Sequence, residues 1–256
     1  MPDYADAPFP LIETPIHTQK GLSDARKTPH SYAQGASIMA LVHNVIIRGL
    51  NSIYLQARHV PKQDYADFIG YATCWHDFTS NHFRNEAESI IPTVEAKCGE
   101  NGALDEDLQE HDAFAAGFNE YKTYLTTVTA KPAEFDGNEL IAIIDSFAPK
   151  MMEHLRNQIP RMLKLARFGD KIPMLEIIET EGNRSIQHLS KTGGVIFFLR
   201  NLDLGYEDGL WKEWPPIPNA ARWAVLKTLG KLHSTWWAYA ACDEAGKLQR
   251  LHTIGV

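Results

Sequence analysis

Cysteine is scarce: only Cys74, Cys98 and Cys242 occur in 256 residues, with no CxxC pair among them. That rules out a disulfide scaffold and fits a reducing compartment. Positive charge is also short. Lys plus Arg number 25 against 32 Asp plus Glu, a formal charge of −7, and no basic stripe is present. A nucleic-acid surface is therefore not expected. No apolar run approaches the roughly 20 residues of a membrane helix. Residues 1–20 carry Asp3, Asp6 and Glu13 and no apolar stretch of signal-peptide length, so a cytoplasmic protein is expected. Strand-like alternation is missing as well. The one tight glycine pair, Gly193-Gly194, lacks the lysine and the strand–turn–helix setting of a phosphate loop. No Ser-His-Asp or paired-carboxylate hydrolase pattern stands out.

What is present is long helical periodicity and 11 histidines. Residues 1–32, rich in Pro, Thr, Asp and Gly, read as an irregular arm. Residues 33–168 read as an all-α, up-down-up-down four-helix bundle, its breaks falling near Pro61, Gly99, Pro132 and Gly169. Residues 169–256 read as a Trp-rich helical extension packed on the bundle. They hold five of the six tryptophans, and Leu226, Leu229, Leu232 and Trp236 predict a helix over Ala220–Ala240.

Steps of three or four residues define one inward stripe per bundle helix. The first runs Met39, His43, Ile46, Leu50, Ile53, and the second Phe68, Ala72, Trp75, Thr79, His82, Glu86, Ile90. The third includes Leu108, His111, Phe114, Phe118 and Tyr121, and the fourth Phe147, Met151, His154, Gln158 and Met162. Each stripe has one histidine at a position meant for a hydrophobe, and histidine avoids full burial. At about 1.5 Å per residue, His43 and His82 stand ~22 and ~27 Å above the connection near residues 58–64. His111 and His154 stand ~28 and ~26 Å from the connection near residues 130–137. The second helix fits this common level if it ends or kinks around Pro92.

A glutamate buried among imidazoles needs a cation, and this ligand mixture suits iron, manganese or zinc. Glu86 follows His82 by four residues, so both face one centre. The residues predict a metal site built from His43, His82, Glu86, His111 and His154. His76 faces elsewhere, in a surface or supporting position, and His233 reads as a boundary residue. The acidic run Asp105-Glu106-Asp107 reads as a helix start.

His43, then His82-Phe83-Arg84-Asn85-Glu86 before Ile91-Pro92, then Glu110-His111, then Glu153-His154-Leu155, resembles the hemerythrin-like (HHE cation-binding) domain. Trp214-Pro215-Pro216 and the Tyr239…Cys242-Asp243-Glu244-Ala245-Gly246 turn resemble the extension of fungal members of that family. The resemblance implies two irons bridged by carboxylates with an open position for O2. The four histidines would be terminal ligands and Glu86 a bridge. It also marks two departures: Gln158 stands where a second carboxylate is usual, and Ala115 where a second histidine of the third helix is usual. Gln158 is then a weak ligand or a pocket residue, and the site holds one iron or two, or another divalent metal.

The expected function is a non-haem iron protein that binds O2 or a small oxygen species and oxidises a small organic substrate. The alternatives are a non-catalytic iron or O2 sensor or store, and a metal-free helical protein that binds a small molecule.

Overall fold

The computed structural model describes residues 2–253. Four long helical segments form an all-α bundle: α1 (His30–Gln56), α2 (Tyr65–Asn85) continued by α3 (Ile91–Cys98), α4 (Asp105–Ala130) and α5 (Gly137–Lys164). Among the described residues the only strand-like pairing is a single antiparallel bridge between Cys242 and Leu248. Each turn is closed by its own chemistry. Gly99 ends α3 in the left-handed conformation (φ 74°), where a side chain would be strained. The Asp136 carboxylate accepts from the Asn138 amide and caps the start of α5 at 2.7 Å.

The kink expected near Pro92 lies slightly earlier. Glu86–Ile90 forms one π-helical turn between α2 and α3. Pro92 has no amide to offer the carbonyl four residues back, so a regular α-helix would lose that bond in any case. Past the turn the buried positions become Ile91, Val94 and Cys98. Val94 and Cys98 continue the stripe of Glu86 and Ile90 at steps of four, while Ile91, one residue on from Ile90, widens the buried face.

α1 is the spine of the molecule. The arm covers one side of it: Asn44 accepts from the Ile12 amide at 2.8 Å and donates to the Ile12 carbonyl at 2.9 Å. Two turns on, Asn51 treats Phe9 in the same way at 2.9 and 2.8 Å. Between them buried Arg48 pairs with Asp6 of the arm and Asp203 of the extension. By length and composition alone this helix passes as a membrane span, contrary to the expectation from the sequence. Packing accounts for its apolarity, since 83% of its most apolar 18-residue window is buried inside the protein.

The extension continues with α6 (Met174–His188) and α7 (Gly194–Asn201), both packed against α1 and α2. Close approach requires glycine on both bundle helices. A Cβ at Gly49 would lie 2.5 Å from Phe197, and one at Gly70 2.2 Å from Trp236. The continuous helix expected over Ala220–Ala240 is not formed. α8 (Asn219–Thr228) gives way to 3₁₀ turns at Leu229–His233 and Trp236–Tyr239. The Gly230 carbonyl is taken by the Trp237 indole N–H at 3.1 Å, folding the chain back so that Trp237 is buried. Leu226 is buried but Leu232 is left 66% exposed, so the spacing read as one apolar stripe serves no common face.

Candidate metal centre

The five residues singled out by spacing converge in the bundle core. His43 comes from α1, His82 from the last turn of α2, Glu86 from the first position of the π turn, His111 from α4 and His154 from α5. His43, Glu86 and His154 are wholly buried. The His82 and His111 side chains are 10% and 13% exposed, so the centre approaches solvent only along their side.

Glu86 divides the site in two. Its Oε1 lies 3.3 Å from His82 Nε2 and 3.9 Å from His43 Nε2. Its Oε2 lies 3.2 Å from His111 Nε2 and 3.6 Å from His154 Nε2. In each lobe the three ligand atoms fall within 4.8 Å of one another, a spacing that can hold a metal ion. These contacts lack hydrogen-bond alignment: both Glu86 oxygens and the Nε2 atoms of His43 and His82 have no hydrogen-bond partner. Buried polar atoms are rarely left so; a cation in the first lobe would satisfy Oε1 and the two Nε2 atoms, and one in the second would satisfy Oε2.

Two imidazoles have their inward lone pair set from outside. His43 Nδ1 donates to the Leu155 backbone carbonyl at 2.9 Å, and His154 Nδ1 donates to the Glu110 carboxylate at 3.1 Å. With Nδ1 carrying the proton, Nε2 is the inward ligand atom in both; that of His43 has no partner, and that of His154 lies 3.1 Å from His111 Nε2. Burial pushes His43 down to about 4, which keeps it neutral despite its Glu86 neighbour. Burial alone would raise Glu86, but the surrounding imidazoles hold it well below the usual carboxylate range. At His154 burial is outweighed by Glu86, Asp107 and Glu110, which raise it.

Around this centre the walls are aromatic. The Phe83 ring lies 4.9 Å from that of His111 and 5.7 Å from that of His154, and Phe114 packs on both. Gln158, one turn beyond His154, is buried, and its Oε1 has no hydrogen-bond partner.

No supporting role was expected from the sequence for Asp107, Glu110 or Arg161. Asp107, expected only as part of a helix start, is wholly buried and accepts from Arg161 at 2.7 Å. Arg161 also clamps Glu110 with two bonds of 2.6 Å each. The available signals were Glu110 beside His111 and Arg161 two turns beyond His154 on the same face of α5. His76 needs correction too. It is buried and stacks on Phe118 at 4.7 Å, away from the centre. Its setting is neither the surface nor a support for the ligands, because its ring fills the gap between α2 and α4. His233 is a boundary residue as expected, half-buried and stacked on Trp236 at 3.9 Å.

Comparisons with known proteins agree with this architecture. A curated protein from Cryptosporiopsis sp. (strain 8999), "Dimeric xanthone biosynthesis cluster protein R11", is 29% identical over 250 residues. That similarity spans 95% of this chain and 90% of the relative. No solved structure matches. Residues 34–164, more than half of the 256, match the hemerythrin HHE cation-binding domain. With the helical bundle and a buried His/Glu cluster that can hold metal in place, the chain belongs to the hemerythrin HHE cation-binding family.

Proposed function

We propose that this protein is a non-haem iron protein whose two ions share Glu86, and that it oxidises a small organic molecule with O2. The observation that carries this reading is the division of Glu86 between two pairs of imidazoles, one pair for each oxygen. His43 and His82 would hold one ion, and His111 and His154 the other. The unpartnered Nε2 atoms of His43 and His82 and both unpartnered Glu86 oxygens fit such occupants, and His111 Nε2 and His154 Nε2 converge at 3.1 Å in the other lobe. When bound, a pair of irons would bind O2 and relay to it the electrons given up by the organic substrate, which is the reductant. The protein supplies neutral nitrogen donors, a single bridging charge and an aromatic wall that keeps water out. Gln158 adds a carbonyl oxygen without charge, so the inner set carries one negative charge for two cations. That is less than a second carboxylate would give; with three protein ligand atoms offered per lobe, a bound ion would have room for O2 or a substrate.

The relative's name places that protein in a biosynthetic cluster for dimeric xanthones. A biosynthetic setting supports an oxidising enzyme over a sensor or store, with an aromatic compound as the substrate class. The test is metal content per chain by elemental analysis, for protein made with iron and purified without chelator. Iron Mössbauer spectra and O2 uptake with an added xanthone accompany it. Two coupled irons and xanthone-dependent uptake are expected. One iron would mean a mononuclear site, and none after reconstitution would overturn the reading.

A further inference from the structure

Each lobe of the centre offers two imidazole Nε2 atoms and one Glu86 oxygen, although only His111 and His154 pair with each other, at 3.1 Å; what stands behind the two lobes differs further. Behind His43 is a neutral group, the Leu155 carbonyl, at 2.9 Å from Nδ1. Behind His154 is an anion, Glu110, at 3.1 Å from Nδ1. The rest of Glu110 is fully engaged. Its Oε2 accepts from Arg161 Nη1 at 2.6 Å, and its Oε1 accepts from Arg161 Nη2 at 2.6 Å and Asn157 Nδ2 at 2.9 Å. Arg161 is held in turn by buried Asp107 and by Glu106. A carboxylate held through both of its oxygens in this way cannot swing away from the imidazole. Its side chain is 23% exposed, so the charge is only partly screened.

An imidazole that donates to a carboxylate is a more basic ligand through its other nitrogen than one that donates to an amide carbonyl. Arg161 offsets only part of the charge of the Glu106, Asp107 and Glu110 carboxylates that hold it, so net negative charge stands behind His154, and among the described residues no ion pair of that kind backs His43. We infer that Glu110, clamped by Arg161, is a positioning residue that makes the His111–His154 lobe the tighter and first-filled of two unequal metal positions. This rests on the two-ion reading above. It also explains how a centre with Gln158 in place of a second inner carboxylate retains charge to neutralise a cation: part of that charge stands one shell out, on α4.

The test is a Co²⁺ titration of the metal-stripped protein, followed by its visible d–d bands, with circular dichroism to verify folding. Wild type should bind two ions with separate affinities, and His154→Ala should lose the tighter event. Glu110→Gln keeps an acceptor beside Nδ1 and removes the charge. It should weaken the tighter event by about 10- to 100-fold and leave the weaker one unchanged. Arg161→Met, which loosens Glu110 without removing it, should give a smaller loss in the same event, and decides the matter if Glu110→Gln fails to fold. Unchanged affinities in the folded variants, or equal losses in both events, would overturn the inference while leaving the two-ion reading intact. Wild type that takes up no Co²⁺ would overturn both.

Discussion

The Ile91 amide donates to the carbonyl of Glu86, five residues back instead of four. The Glu86 carboxylate therefore stands at the point where the second bundle helix changes its winding. Below it, His82 and Glu86 share one helical face; above it, the core face passes to Ile91, Val94 and Cys98. Glu88 lies within this turn and is exposed. Deleting Glu88 should restore regular winding and rotate Glu86 away from α4 and α5. The expected protein has undiminished helix content by circular dichroism and less metal per chain than wild type. Full metal content in the deletion variant would show that the π turn is not needed to aim Glu86.

Glu86→Ala removes both carboxylate oxygens at once, and each belongs to a different lobe. Stoichiometric metal should be lost from the whole centre and not from half of it. Elemental analysis of the purified variant checks this, and retained metal would sink the ligand assignment.

Gln158 is buried with an unpartnered carbonyl oxygen one turn from His154. Gln158→Glu would add a second buried anion to the inner set. With metal bound, the added charge should tighten loading by about tenfold or more, equivalent to ~1.4 kcal/mol. Without metal, a second buried carboxylate beside Glu86 should lower the melting temperature of the stripped protein. The opposite signs in the two states are the diagnostic, read by metal titration and by thermal melts with and without chelator.

Docking of the extension depends on a missing side chain. A Cβ on Gly70 would fall 2.2 Å from Trp236, within a packed ring edge. Gly70→Ala should destabilise the fold by about 1–3 kcal/mol and expose tryptophan to water, seen as a red shift in fluorescence. Gly182 is the contrasting case: it lies within α6, and a methyl group added there would meet nothing within 4 Å. There Gly182→Ala should stabilise by about 0.5–1 kcal/mol.

Burial pushes the Cys74 and Cys242 thiols up to about 12. Both should resist a thiol reagent at pH 8 in the native protein and react only after unfolding. An unfolded thiol ionises near roughly pH 8.5. The contribution of these thiols to stability is therefore complete below that value and is lost as pH rises toward the folded value of about 12. Chemical denaturation at pH 8 and pH 10, with Cys74→Ala as control, measures the difference.

Helical periodicity by itself determined which residues face inward. An α-helix has one repeat, so the positions of His43, His82, Glu86, His111 and His154 within their stripes set their directions, and rise per residue set their common height. Composition and the breaks at proline and glycine likewise determined an all-α bundle with an appended tail. Three features were decided only by the tertiary structure. Which imidazoles share which oxygen of Glu86 depends on how four helices rotate against one another. The clamp of Arg161 on Glu110 joins residues 51 apart in the chain. The broken path of residues 219–239 depends on Trp237 finding the Gly230 carbonyl. Periodicity describes one helix about its own axis; rotation between helices is set by the packing of all their side chains together, and no single segment contains it.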